Sequence, residues 1–180
     1  MPDYKYKRVL LKLSGEALAD SKGEILNFDF IKRVAEQIKR CTEAGVQVAV
    51  IVGAGNIWRG RQATGMEQCR ADQMGMLATI INALAVQEAI VRLGRKATVF
   101  TAQEMNRFAE LYRADRAIEK MEEGHIVLLA GGSGNPFFTT DTAASLRAAE
   151  LKADAVFKGT TVDGVFSADP RKDPNAYLIK

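Results

Sequence analysis

The sequence predicts an α/β fold, a three-layer α/β/α sandwich around a mainly parallel sheet. Three observations predict it. Short β-branched apolar runs alternate with longer stretches of helical period along the chain. The strand candidates are apolar at nearly every position, as expected where helices cover both faces of a sheet. Loops of small residues follow three of those strands, where a parallel strand hands over to its crossover helix.

Each element follows in order. Residues 9–13 read as the first strand, ended by Ser14-Gly15. Asn27 or Asp29 caps a helix whose inward face is Ile31, Val34, Ala35, Ile38 and Cys41, and Gly45 stops it. Residues 46–52 form the second strand. A long helix covers 71–93 and ends at Gly94. Strand 97–101, helix 115–122, central strand 126–130, helix 140–152 and strand 155–158 complete the series. No repeat, low-complexity tract or linker interrupts it, so residues 1–180 read as one domain.

Composition narrows the function classes. The 180 residues are 47% hydrophobic and 26% charged, with 25 basic and 22 acidic side chains for a net charge of +3. This excludes disordered, collagen-like and coiled-coil classes, and it is too balanced to indicate a nucleic-acid partner. No apolar run reads as a membrane span, and no signal-peptide core follows the first residues. Cys41 and Cys69 have no paired spacing, which argues against a disulfide framework or zinc site and for a reducing cytoplasm.

Ligands of parallel sheets bind beyond the carboxyl ends of the strands. There the chain places Lys12-Leu13-Ser14-Gly15, then Gly53-Ala54-Gly55-Asn56 with Arg59 and Arg61 beyond, then Gly131-Gly132-Ser133-Gly134-Asn135-Pro136. Glycines let backbone amides approach an anion, helix N-termini add partial positive charge, and lysine and arginine add full charge. One such loop is ordinary turn chemistry. Three at one sheet edge, two with cations, point to phosphate binding. The P-loop pattern is absent, and Trp58 stands where a dinucleotide fingerprint needs its third glycine, so neither enzyme class is indicated.

Individual residues carry two readings each. Lys12 ends an apolar strand, either snorkelling to solvent or presenting a fixed cation to the ligand edge. Lys158 ends a later strand in the same way. Asp141 is either a first-turn acid favoured by the helix dipole or a carboxylate that holds two lysines in place. Asp72 reads as a solvated helix acid, His125 as structural, and Met74 and Met76 as core.

Five stretches then occur in order: Lys12-Leu13-Ser14-Gly15-Glu16-Ala17-Leu18, Gly53-Ala54-Gly55-Asn56-Ile57-Trp58-Arg59-Gly60, Asp72-Gln73-Met74-Gly75-Met76-Leu77, Gly132-Ser133-Gly134-Asn135-Pro136-Phe137-Phe138-Thr139-Thr140-Asp141, and Val162-Asp163-Gly164-Val165-Phe166-Ser167-Ala168-Asp169-Pro170. Together they resemble the bacterial UMP kinases (uridylate kinases) of the amino acid kinase family, over residues 6–175. The stretch from Gly134 to Asp141 is the part specific to that kinase type.

The resemblance implies transfer of the ATP γ-phosphoryl group to UMP, giving ADP and UDP in pyrimidine nucleotide biosynthesis. It implies Mg²⁺ accompanying ATP, with no metal site of the protein's own. It implies ATP binding by Lys12, Leu13, Ser14, Gly15, Gly55 and Arg59 at the phosphates and by Thr160, Phe166 and Asp169 near the nucleoside. It assigns UMP to Ala54, to Asp72 at the ribose, and to the loop Ser133, Gly134, Asn135, Pro136, Phe137, Phe138, Thr139 and Thr140. The catalytic set would be Lys12, Asp141 and Lys158, with Asp141 organising the lysines. A homo-oligomer, hexameric in full-length members, and UTP inhibition are also implied.

The sequence departs from the family at several points. Ala54 stands where the family usually has glycine. Gln87 and Val91 occupy a helix that usually supplies basic residues for an activator, which weighs against GTP activation. Family members continue past position 180, so the chain is read as lacking a C-terminal part. An exposed sheet edge, and UMP binding stronger than ATP turnover, are the expected consequences. Two alternatives stay open. One is another amino acid kinase, acting on a carboxylate or carbamate, against which Asp72 and residues 135–138 speak. The other is a catalytically inactive fragment that binds UMP or UTP.

Overall fold

The computed structural model describes residues 4–19, 24–58, 65–159, 164–168, 170 and 172–179. The elements run β1 (Arg8–Leu13), a 3-10 turn (Gly15–Leu18), α1 (Phe28–Glu43), β2 (Gln47–Val52), α2 (Gln68–Arg92), β3 (Ala97–Thr101), β4 (Glu110–Leu111), α3 (Ala114–Glu122), β5 (Ile126–Ala130), α4 (Thr140–Glu150) and β6 (Ala155–Gly159). The strands form one sheet in the order β4-β3-β5-β2-β1-β6. Every strand pairing in it is parallel.

The alternation along β2 and β5 divides the core into two layers. Val48, Val50, Val52, Ile126 and Leu128 pack under α1 and α2 with Ile31, Ile38, Val86 and Ile90. Ala49, Ile51, Val127 and Leu129 point the other way, against Ala117 and Met121 of α3 and Ala144 and Ala148 of α4. Successive side chains of a strand face opposite sides, so an apolar strand demands cover on both. The predicted α/β/α sandwich is the result.

Several sequence expectations need adjustment. Asn27, not Asp29, caps α1, its Oδ1 accepting the Phe30 amide at 2.9 Å. Cys41, predicted on the buried face of α1, is exposed. The long helix begins earlier than predicted, because the Glu67 carboxylate caps it by accepting the Cys69 and Arg70 amides. The 3-10 turn and the two-residue β4 were not anticipated. By length and composition alone α2 is apolar enough to cross a membrane, contrary to the sequence reading. Here its inner face is core, packed on α1 and the sheet.

At the far edge, β6 pairs only with β1 among the described residues. Val156 and Phe157 on it are 45% and 48% exposed. The exposed apolar edge expected from the sequence is present.

Candidate functional site

Parallel register brings the two lysines together. Lys12 of β1 is aligned with Lys158 of β6, so both leave the same face of the sheet near its carboxyl end. Helix α4 crosses that face. Thr139 caps it, its Oγ1 accepting the Thr142 amide at 3.2 Å, which puts Asp141 in the first turn. Asp141 Oδ1 lies 2.8 Å from Lys12 Nζ and Oδ2 lies 2.7 Å from Lys158 Nζ. Lys12 is 8% exposed and so is fixed in place rather than snorkelling to solvent. A cation this deep requires a counter-ion, and Asp141 is that counter-ion. Burial pulls the Asp141 pKa upward, but the hydrogen bonds and charges of Lys12 and Lys158 outweigh it, and the carboxyl stays below its ordinary value.

Two of the glycine loops interlock beside these lysines. A Cβ on Gly15 would lie 2.3 Å from the Gly53 carbonyl oxygen and 2.6 Å from the Gly55 nitrogen. Only glycine permits that approach. The Gly53 amide also donates to the Leu13 carbonyl at 2.9 Å. Leu13 is itself a buried core residue, and Ser14 donates its backbone N–H to Gly159 O at 3.3 Å. Ala54 has no positive φ, so alanine in place of the family's glycine brings no backbone strain.

A cavity of about 500 Å³ adjoins the interlocked loops. Ala54, Gly55, Asp72, Ser133, Asn135, Phe138 and Thr140 line it, all predicted site residues. Glu16, Trp58, Gly75, Met76 and Thr79 also line it and were not predicted there. Met76, expected only in the core, is both buried and part of this wall. Asp72 is not merely solvated. Its Oδ2 accepts the Phe137 amide at 2.7 Å and its Oδ1 accepts from Gln68 Nε2 at 2.8 Å. Phe137 has φ +69, a left-handed conformation that is strained for a non-glycine residue. The Asp72 bond holds it there; Phe137, 71% exposed, does not line the cavity, whereas Phe138, 58% exposed, does.

Gly134, Pro136 and Thr139 share this loop without lining the cavity. Phe166 forms an antiparallel bridge with Leu178. Arg59, Arg61, Thr160 and Asp169 lie outside the described residues. His125 contacts Thr98 Oγ1 at 2.8 Å through Nδ1, and burial, with nearby Lys120 and Lys96, pushes its pKa down.

Comparison with known proteins identifies the family of this fold. The amino acid kinase family matches residues 7–180. A solved structure of UMP kinase from Bacillus anthracis superposes with a TM-score of 0.90 at 38% identity, covering 96% of this chain and 72% of that one. UMP kinase from Ureaplasma parvum superposes with a TM-score of 0.89 at 35% identity, covering 97% of this chain and 75% of that one. A family match over nearly the whole sequence and two closely superposing structures at 35–38% identity converge on one conclusion: the chain belongs to the amino acid kinase family.

Proposed function

We propose that this chain is a nucleoside monophosphate kinase that transfers the γ-phosphoryl group of ATP to UMP, giving ADP and UDP. The observation that carries the reading is Asp141 held between Lys12 and Lys158, beside a cavity of about 500 Å³ bounded by glycine loops and Asp72. Phosphoryl transfer requires two substrates held in line and charge neutralised as it develops; the protein does little covalent work. The UMP phosphate is already anionic near neutral pH, so no general base is needed. Lys12 and Lys158 supply positive charge at the transferring group, and Asp141 fixes their spacing. Asp72 oxygens each keep a free lone pair after their present bonds, enough to accept from a ribose hydroxyl. Mg²⁺ is read as part of MgATP, held chiefly by the phosphates.

The same reading carries a homo-oligomer, UTP inhibition without GTP activation, and a cytoplasmic place in pyrimidine nucleotide biosynthesis. The test is a coupled assay of ADP release with UMP, CMP, dUMP and acetylglutamate as acceptors, beside UMP calorimetry. Release with UMP supports the proposal. Release with acetylglutamate alone would move the chain to the carboxylate kinases. UMP binding without release would make it an inactive binder.

A further inference from the structure

Helix α2 carries two polar side chains on an inner face that is otherwise apolar, where Ala78, Ile80, Ala83, Val86 and Ile90 are buried. Thr79 is 3% exposed and Asn82 is fully buried. Neither favours a helix interior, and an apolar residue would fill the core without a desolvation cost. Their hydrogen bonds go to the loops of the site. Thr79 Oγ1 accepts the Gly131 amide at 2.9 Å while donating to Met76 O at 2.6 Å. Asn82 Nδ2 donates to Gly53 O at 2.7 Å and to Asn56 Oδ1 at 2.8 Å. Its own Oδ1 accepts from Asn56 Nδ2 at 2.9 Å, and that same nitrogen reaches Ile25 O at 2.9 Å.

One helix therefore grips the loop after β2 and the loop after β5 from beneath, one turn apart. Gly131 is held on its other side as well, its carbonyl accepting the Gly134 amide at 3.1 Å. Gly53 is equally confined, pressed between Asn82 and Gly15. We propose that Thr79 and Asn82 are positioning residues, which fix the separation of the two loops so that donor and acceptor phosphates meet in line. This rests on the kinase reading above. It explains why two buried polar groups stand on an apolar helix. It also assigns them a task distinct from that of Lys12, Lys158 and Asp141, which face the reacting group.

The test uses the isosteric Thr79→Val and the hydroxyl-retaining Thr79→Ser, with Asn82→Asp beside them. Valine keeps the shape and loses the acceptor; serine keeps the acceptor. Thr79→Val is expected to raise KM for UMP and lower kcat by roughly tenfold or more, with KM for ATP unchanged, and Thr79→Ser to restore both. Asn82→Asp turns the donor to Gly53 O into a repelling oxygen and is expected to lower kcat on the order of 10²-fold, the scale of a loop displaced by about 1 Å. Amide hydrogen exchange of the two loops is measured on the same proteins without ligand. Faster exchange near Gly131 in Thr79→Val, but not in Thr79→Ser, is expected. Wild-type kinetics in Thr79→Val, or equal losses in the valine and serine variants, would overturn the proposal. If the unsubstituted chain releases no ADP with any acceptor, the kinase reading fails. The exchange data then decide the positioning claim, and loop exchange identical in the unsubstituted chain and all three variants refutes it.

Discussion

Asp141 illustrates how one carboxylate can set the chemistry of two cations. Lys12 has a side chain only 10% exposed, and Lys158 one that is 56% exposed, yet both end on the same carboxyl group. Replacing Lys12 with alanine removes the charge that is fixed in place, and turnover with UMP is expected to fall by about 10²–10³-fold, the scale of losing one preorganised stabilising group. Near-normal turnover in Lys12→Ala would remove Lys12 from the mechanism. The pH response follows from the lowered pKa of Asp141. A carboxyl whose folded value is depressed contributes stability above its ordinary pKa of about 4 and loses it as pH falls through the lowered value. Protonation then leaves Lys12 without its counter-ion. Melting temperature should drop more steeply below about pH 4 in the unsubstituted chain than in Asp141→Asn, where that group no longer titrates. Asp115, Asp154, Glu67 and Glu123 are also held low by their partners, so the difference between the two proteins, not the acid limb itself, isolates Asp141. Parallel limbs would show that the carboxylate is not the titrating group.

At the scale of elements, the interlocked turns make the sharpest prediction. In Gly15→Ala the new methyl would sit 2.3 Å from Gly53 O, so the turn after β1 and the loop after β2 must part. Overpacking of this kind costs roughly 1–3 kcal/mol, and the displaced loops should also abolish most ADP release. Thermal melts and the coupled assay read the two effects separately. An unchanged melting temperature would mean that the loops separate freely. Much of this layer was readable from sequence. The longer strands declared themselves through apolar runs, α1 through its period and cap, and the three loops through their small residues. What escaped has physical causes. β4 has only two residues, both exposed, and so leaves no periodic signal. The start of α2 is set by a glutamate cap, and glutamate is not among the residues that usually cap a helix. Cys41 fits the helical period and faces the groove between α1 and the sheet, but nothing among the described residues fills that groove, so it stays exposed. Thr79 and Asn82 looked like any mid-helix polar residues, because their importance depends on α2 lying with that face inward. The pairing of Lys12 with Lys158 needed strand order, which periodicity does not encode.

At the scale of the whole molecule, β6 has no partner on its outer side among the described residues. An edge strand presents a row of unmatched backbone donors and acceptors, and here Val156 and Phe157 are both half exposed beside it. Phe157 points away from the face that carries Lys158, stacking edge-on against Tyr6 with ring centres 6.0 Å apart. It closes one side of an apolar groove of about 490 Å³ between α1 and the sheet. Concentration-dependent self-association is therefore expected in sedimentation velocity, and Phe157→Lys should weaken it by placing a charge on the edge. Because Phe157 faces away from the lysines, UMP affinity measured by calorimetry should be unchanged in that variant. A second exposed apolar surface exists on α2, where Leu77 and Ile81 are each 50% exposed, and it supplies the contrasting experiment. If Phe157→Lys leaves association intact while Ile81→Lys removes it, the molecules meet through the helix, and the open sheet edge is not what holds them together.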